Sequence, residues 1–293
     1  MRKRWILFMV GFALMSHDAE AAKPNVVATF SILGDIVKNI ADDHVALVVL
    51  VGSNGDAHEF EPTPQDVVTL NKADMIVENG LHFEPWLDKI YEASGSDAKR
   101  VVASTGITIR HRDDSKVEID PHAWHDVSNV VVYAQNISVA LQAIDPSNAE
   151  IYATNAANYI LQLEELDRKI NDDLSKLQNR NIVTNHDALG YFAARYGFQI
   201  IGSLIPAGTT EAADPSAKQT AALADAIKAH GVKVIFIENM ANSKLATVLS
   251  KEVGVQIGPD LYTDALGNNN SDGADYIRMM RHNVEMFLKY LSS

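Results

Sequence analysis

The feature that most constrains the fold is a long helical segment in the middle of the chain. From Pro146 to Leu177 the sequence contains no glycine and no second proline, and its apolar residues recur at spacings of three or four. Asp145 can cap the start of a helix, with Pro146 at its first position. A helix of about 32 residues would be about 48 Å long. This exceeds what one α/β lobe needs, so the segment predicts a rigid helix that joins two lobes. Two shorter helices with a break near Asn171 are the alternative.

On both sides of this helix, short β-branched segments alternate with segments of helical spacing. The predicted strands are apolar throughout, which is typical of strands buried on both faces of a parallel sheet. The alternation itself indicates an α/β fold. We therefore predict two Rossmann-like (βα)4 lobes joined by one long rigid α-helix. The predicted strands are 25–30, 45–51, 73–79 and 99–104 before the helix, and 181–185, 198–204, 232–238 and 254–259 after it.

The first residues have the three parts of a secretory signal peptide. Basic residues 2–4 precede an apolar segment of about eleven residues and a small-residue cleavage site that ends at Ala21. The apolar segment is too short to span a bilayer as a helix, although a retained anchor is the alternative. The predicted organisation is a signal peptide at 1–21, an N-terminal lobe at 22–145, the linking helix at 146–178 and a C-terminal lobe at 179–293.

Composition narrows the possible functions. The chain contains no cysteine, so it offers no disulfide, no thiolate chemistry and no cysteine to carry a lipid after the signal. The formal net charge of −13 argues against a nucleic-acid partner and suits a protein that handles cations. No later apolar segment approaches the length of a membrane span, so we expect the mature protein to be soluble.

Three histidines and one aspartate follow predicted strands. His58 follows the second strand, His122 lies beyond the fourth, His186 directly follows the first strand of the second lobe, and Asp264 lies shortly after the last. Ligands of open parallel sheets bind beyond the carboxyl ends of the strands, so all four side chains are expected at that edge. Three imidazoles and one carboxylate complete the coordination shell of a divalent transition metal. The sequence therefore predicts a metal site between the lobes.

The remaining histidines have weaker claims to a metal. His125 lies three residues after His122 in the segment IDPHAWHDV, and ligation, support of a ligand and a surface position all remain open for it. His82, in NGLHFEPWL, is expected to pack or to cap, with a position near the cleft as the alternative. Four others lie in polar contexts typical of a surface, namely His44, His111, His230 and His282.

Four segments together resemble the signatures of a known family. It comprises the metal-binding solute proteins of zinc and manganese ABC importers, the cluster A-I that includes the TroA, ZnuA and PsaA types. In family order the segments are TFSILGDIVKNIADDHVALVVLVGSNGDAHEFEPTPQDV, DPHAWHD, HDALGYFAARYGF and LYTDALG. The similarity extends over nearly the whole mature chain.

The resemblance implies a bilobal periplasmic protein that holds one Zn²⁺ or Mn²⁺ ion as transported ligand through His58, His122, His186 and Asp264. The implied partner is a cognate ABC permease in the inner membrane, and a monomer is expected. His186 matches the TroA type, whereas many manganese proteins of the family have Glu there.

Three departures from the family pattern accompany this resemblance. The His-rich loop of many zinc-specific members is missing. His125 occupies a position where an apolar residue is expected. The lipobox cysteine of Gram-positive relatives is also absent, which implies a protein that moves freely in a periplasm and is not lipid-anchored.

Two other functions remain open at the level of the sequence. A zinc hydrolase would have three protein ligands and an open water position, whereas a fourth ligand here closes the shell. The HExxH, GxSxG, P-loop and GxGxxG motifs are absent, although Glu59 and Glu61 lie close enough to His58 in sequence to act as a base. A periplasmic metal chaperone or adhesin without a transporter is the other alternative. A non-enzymatic solute-binding protein is the prediction.

Overall fold

The computed structural model describes residues 22–112, 117–205, 215–239 and 244–292. The predicted signal peptide, 1–21, lies outside the described residues. The strands are β1 (Asn25–Phe30), β2 (Ala46–Val51), β3 (Met75–Glu78), β4 (Lys99–Val102), β5 (Asn181–Thr184), β6 (Gln199–Ser203), β7 (Val234–Ile235) and β8 (Gln256–Ile257). The helices are α1 (Ser31–Ala41), α2 (Pro64–Asn71), α3 (Leu87–Ser94), α4 (Val127–Ile144), α5 (Ala149–Leu174), α6 (Gly190–Tyr196), α7 (Ala217–Ala229), α8 (Lys244–Val253) and α9 (Tyr276–Leu291).

Each lobe is built on one four-stranded parallel sheet, which confirms the predicted α/β class. The strand order is β2-β1-β3-β4 in the N-terminal lobe and β6-β5-β7-β8 in the C-terminal lobe. Successive strands are added on opposite sides of β1, and likewise of β5. In open sheets such a switch point leaves a crevice beyond the carboxyl ends of the strands, where ligands bind. Both lobes therefore present a crevice at the edge where the predicted ligands lie.

The last two strands are shorter than the sequence predicts. β7 and β8 contain two residues each, against the predicted 232–238 and 254–259. Gly258 and Pro259 directly follow β8, and proline has no amide hydrogen to donate to a strand ladder. Among the described residues, the parallel pairing beyond these two strands consists of an isolated bridge between Glu238 and Leu261.

The linking helix is continuous but shorter than predicted. Residues Pro146–Asn148 form a separate 3-10 turn, and α5 contains 26 residues from Ala149 to Leu174 without a break at Asn171. The carboxylate of Asp145 accepts hydrogen bonds from the side chains that follow it, including the hydroxyl of Tyr152 at 2.7 Å. The aspartate thus stabilises the turn that leads into the helix. The buried stripe of α5 comprises Tyr152, Ala156, Tyr159, Leu163, Leu166, Ile170 and Leu174.

Two long helices, α4 and α9, have no counterpart among the predicted elements. The segment of α4 is rich in β-branched residues, with three consecutive valines, Val130–Val132. By length and composition alone α4 is also apolar enough to cross a membrane, but half of it is buried inside the protein. It packs against α1 and α5, so it is a core helix of the N-terminal lobe.

Candidate metal centre

The structure brings His58, His122, His186 and Asp264 together between the two lobes. One ligand-type atom from each residue lies within 4.8 Å of the others. Oδ2 of Asp264 is 3.2 Å from Nε2 of His58, 3.6 Å from Nε2 of His122 and 3.1 Å from Nε2 of His186. Three imidazole nitrogens thus surround one carboxylate oxygen, which is a donor set suited to a four-coordinate divalent metal.

The four side chains come from four loops, as the sequence predicts. His58 follows β2, and His122 caps the start of the 3-10 turn Ala123–His125 that leads into α4. His186 follows β5, and Asp264 follows β8. His122, His186 and Asp264 are buried, whereas the side chain of His58 is 24% exposed. The group is therefore closed to solvent except beside His58.

The orientation of His122 is set by a buried carboxylate that is not among the predicted site residues. Oδ1 of Asp120 lies 2.8 Å from Nδ1 of His122 and also accepts the backbone amide of His122 at 3.1 Å. Its other oxygen accepts a hydrogen bond from Arg110 at 2.7 Å. The carboxylate holds the hydrogen on Nδ1 and leaves the lone pair of Nε2 directed at the site, as is typical of metal-binding histidines.

In the C-terminal lobe, the carboxylate of Glu238 orients His186 in the same way. Its Oε2 lies 2.6 Å from Nδ1 of His186 and its Oε1 accepts the backbone amide of His186 at 3.0 Å. The hydroxyl of Thr263 also donates to Oε2, at 2.8 Å. Glu238 lies at the end of the predicted strand 232–238, so its position at the binding edge was a signal present in the sequence.

Gly190 is required by close packing around this arrangement. A Cβ atom at Gly190 would overlap the guanidinium of Arg110 and the carboxylate of Asp120. The absence of a side chain lets the start of α6, in the C-terminal lobe, approach the pair that orients His122. This explains the glycine in the segment HDALGYF.

The electrostatics of the group favour positive charge. Burial opposes the charged form of His186, but Glu238 and Asp264 outweigh burial and hold its pKa well above the usual value. His122 behaves similarly: burial lowers its pKa, yet Asp264 and Asp120 raise it overall. Burial would raise the pKa of Asp264, but His122 and His186 hold it well below the usual range. A buried carboxylate that remains ionised attracts a cation, whether a proton or a metal.

An aromatic cluster forms the apolar floor of the site. The ring of Phe83 packs edge-on against His58, with centroids 4.7 Å apart, and lies 4.8 Å from the rings of both Phe30 and Trp124. Trp124 in turn packs edge-on against His122 at 5.5 Å. These rings exclude water below the donors and restrict the orientation of two imidazoles.

The loop that carries Asp264 also makes hydrogen bonds to the opposite lobe. The indole of Trp124 donates to the carbonyl of Thr263 at 2.9 Å. The amide of Leu266 donates to the hydroxyl of Ser31, and its carbonyl accepts the amide of Asn54, both at 2.9 Å. Asp264 therefore lies between two anchors on the N-terminal lobe, although it follows β8 of the C-terminal lobe.

His125 and His82 lie outside the group of four. His125 is completely buried, which excludes the surface position left open for it, and burial lowers its pKa to about 3. Its ring is 5.7 Å from that of Trp124. His82 is exposed, with a left-handed backbone (φ 63°). Of the two, only His125 belongs to the interior around the site.

Two parallel α/β lobes with three imidazoles and a carboxylate between them define a class, the solute-binding proteins of metal importers. Residues 26–289 match the family described as zinc-uptake complex component A, periplasmic. The chain belongs to that family.

Individual relatives align with almost the whole of this chain and over almost all of their own length. A manganese-binding lipoprotein, MntA, of Halalkalibacterium halodurans is 36% identical over 94% of this chain and 91% of its own length. The iron-binding protein YfeA of Yersinia pestis is 34% identical, over 92% and 86%. Among solved structures, the periplasmic zinc-binding protein TroA of Treponema pallidum superposes with a TM-score of 0.86 at 31% identity, over 93% of this chain and all of its own.

Proposed function

We propose that this protein captures one Zn²⁺ or Mn²⁺ ion with His58, His122, His186 and Asp264 and delivers it to an ABC permease. The observation that carries the proposal is the convergence of these four donors within 4.8 Å of one another. Membership of a family of solute-binding proteins supports it and makes the protein a binding component and not an enzyme. The ion is cargo, so no covalent step is involved.

The proposed organisation assigns residues 22–145 and 179–293 to the two lobes and 146–178 to the linking segment. We propose a signal peptide at 1–21, a monomer, and a partner permease in the inner membrane. Relatives such as MntA are named lipoproteins. Because this chain contains no cysteine to form a thioether with lipid, we propose that it is free in the periplasm.

The names of the relatives refer to manganese, iron and zinc, so the preferred metal has to be inferred from the donors. For a site of nitrogen and oxygen ligands, the order of intrinsic affinities places Zn²⁺ well above Mn²⁺. Four-coordinate geometry with three imidazoles also suits Zn²⁺. We therefore propose that zinc binds more tightly in vitro, whichever ion the cell imports.

Titration calorimetry of alanine variants tests the ligand assignment. His58→Ala, His122→Ala, His186→Ala and Asp264→Ala each remove a coordinate bond, so each should weaken Zn²⁺ binding by more than the 10–100-fold typical of groups that only orient ligands. His82→Ala is the matched control, because His82 is exposed and lies outside the group. Wild-type affinity in His122→Ala, or a loss in His82→Ala equal to that of the others, would refute the assignment.

Delivery to a permease separates an importer component from a metal chaperone or adhesin. Deletion of the gene should prevent growth in metal-poor medium, and the wild-type chain should restore it. The Asp264→Ala variant should not restore growth. Restoration of growth by that variant would contradict import through this site.

A further inference from the structure

His125 contains two buried polar atoms without a protein partner. Its side chain is completely buried, and neither Nδ1 nor Nε2 has a hydrogen-bond partner among the described residues. A neutral imidazole offers one N–H donor and one lone pair. A buried polar group without a partner destabilises the folded state, so native proteins satisfy such groups with protein atoms, ions or ordered water.

A second buried group without a partner belongs to the metal site. Oδ1 of Asp264 has no hydrogen-bond partner in the described part of the chain, and Asp264 is completely buried. Oδ2 of the same carboxylate is the atom that faces the three histidines. Oδ2 of Asp264 thus faces the three histidines, while Oδ1 is left to bind either the ion or a donor from another group.

The two groups lie in the same buried region. His125 ends the 3-10 turn Ala123–His125, which directly follows His122, and its ring packs on Trp124. The indole of Trp124 donates to the carbonyl of Thr263, the residue before Asp264. Asp264 is also the charged group that acts most strongly on the pKa of His125. The turn that carries His125 and the loop that carries Asp264 therefore meet at Trp124.

We propose that His125 is a positioning residue that holds Oδ1 of Asp264 through a buried water and so determines metal specificity. The N–H of His125 donates to the water, and the water donates to Oδ1. Buried waters typically satisfy polar groups that would otherwise have no partner. This inference rests on the proposed function, because it assumes that Asp264 binds the metal.

The bridge has a consequence for metal preference. With Oδ1 occupied by water, Asp264 binds the ion through Oδ2 alone, and three histidines complete a four-coordinate shell. That shell suits Zn²⁺, whereas Mn²⁺ prefers more oxygen ligands. Without the bridge, both oxygens of Asp264 are free to bind, and the fifth contact favours Mn²⁺ relative to Zn²⁺.

The test compares apolar and polar replacements of His125. His125→Leu and His125→Met remove the donor, and His125→Asn and His125→Gln each replace one ring nitrogen by an amide. Zn²⁺ and Mn²⁺ affinities are measured by competition, and the coordination of Co²⁺ is read from its visible absorption, which is stronger for four-coordinate ions. Thermal melting of the metal-free proteins identifies the variants that fold. Two apolar replacements are included so that the comparison can still be made if one of them does not fold.

We expect the ratio of Zn²⁺ to Mn²⁺ affinity to fall about tenfold in the apolar variants, at the lower end of the effects of groups that orient metal ligands. The Co²⁺ absorption should weaken in the two apolar variants. It should return to the wild-type intensity in His125→Asn or His125→Gln, depending on which amide lies where the donating ring nitrogen of His125 lies. A crystal structure of the Zn²⁺ form should contain a water between His125 and Oδ1.

Three results would overturn the proposal: an unchanged ratio and spectrum, equal losses for both metals, or a loss as large as that of His122→Ala, which would make His125 a ligand. If the wild-type protein binds neither metal, the proposed function itself fails. Normal wild-type binding with unaltered His125 variants rejects only this inference.

Discussion

At the scale of single residues, buried carboxylates that do not contact the ion decide how the site is built. Asp120 and Glu238 each accept from both the ring and the backbone of one histidine. They hold His122 and His186 in one tautomer and one orientation, so the free protein is already arranged for binding.

Replacing Glu238 should therefore weaken binding without removing a ligand. Glu238→Gln retains an acceptor but loses the charge beside His186, and we expect Zn²⁺ affinity to fall about 10–100-fold. Glu59→Gln is the matched control, because Glu59 is an exposed carboxylate next to His58 in the sequence. Isothermal titration of both variants checks this. Equal affinities in the two variants would show that Glu238 does not orient His186.

Asp35, on α1, is a carboxylate that destabilises the fold when ionised. Burial raises its pKa from 3.8 to about 6, against a hydrogen bond from the amide of Tyr276. A folded-state pKa above the unfolded value means that the cost is full above about pH 6, decreases as the pH falls, and disappears below the unfolded value. The shift corresponds to a cost of at most about 3 kcal/mol at pH 8.

We therefore expect Asp35→Asn to stabilise the metal-free protein at pH 8 by about 1–3 kcal/mol and to have little effect near pH 3.5. Urea unfolding at the two pH values measures the difference. Asp43→Asn, at an exposed carboxylate near the end of α1, is the control and should show no such gain. A stabilisation by Asp35→Asn that is the same at both pH values would contradict the raised pKa.

At the scale of elements, the continuity of α5 matters most. Its buried stripe contacts α1 and α4 of one lobe and α6 and α9 of the other. A continuous helix resists bending because each residue in its interior closes a hydrogen bond with the preceding turn. The relative position of the two halves of the metal site depends on that rigidity.

A proline on the exposed face of α5 tests this role. Leu161 is 63% exposed, so Leu161→Pro leaves the core intact while it breaks a backbone hydrogen bond and kinks the helix, at a cost of about 3 kcal/mol. We also expect weaker Zn²⁺ binding, because the kink displaces His186 relative to His122. Leu161→Ala is the control and should retain stability and affinity. Wild-type affinity in a folded Leu161→Pro protein would show that the site tolerates a flexible link.

At the scale of the whole molecule, one hydrophobic core connects the two lobes. It extends from β1 through α5 to α9 and includes Phe30, Tyr159 and Phe287. An ion bound between the lobes therefore stabilises the fold as a whole, provided that it does not bind the unfolded chain.

Metal should raise the melting temperature, and the effect should depend on pH. Saturation at about 100 times the dissociation constant adds about 2.7 kcal/mol. The histidines must be neutral to coordinate, so protons compete with the ion. Since the pKa values of His122 and His186 are raised, competition begins at a higher pH than for free imidazole. Melting with and without Zn²⁺ at pH 7.5 and pH 5 should show a large shift at the higher pH and a small one at the lower. Equal shifts would remove the histidines from the site.

Local patterns in the sequence were sufficient to predict part of the fold and of the site. Buried strands, the long helix and the position of His58, His122, His186 and Asp264 after strands follow from the period of apolar residues and from the rule that ligands bind beyond the carboxyl ends of parallel strands. A family resemblance in four segments led to the same assignment.

Features that depend on residues far apart in the chain are evident only from the folded structure. Trp124 and Thr263 are 139 positions apart, and His186 and Glu238 are 52 apart. No local period records such contacts, so the burial of His125 and the pairing of Glu238 with His186 could not be derived from the sequence. The sequence placed each proposed ligand at the binding edge of its own sheet, whereas only the packing of the two lobes brought the four side chains within 4.8 Å of one another.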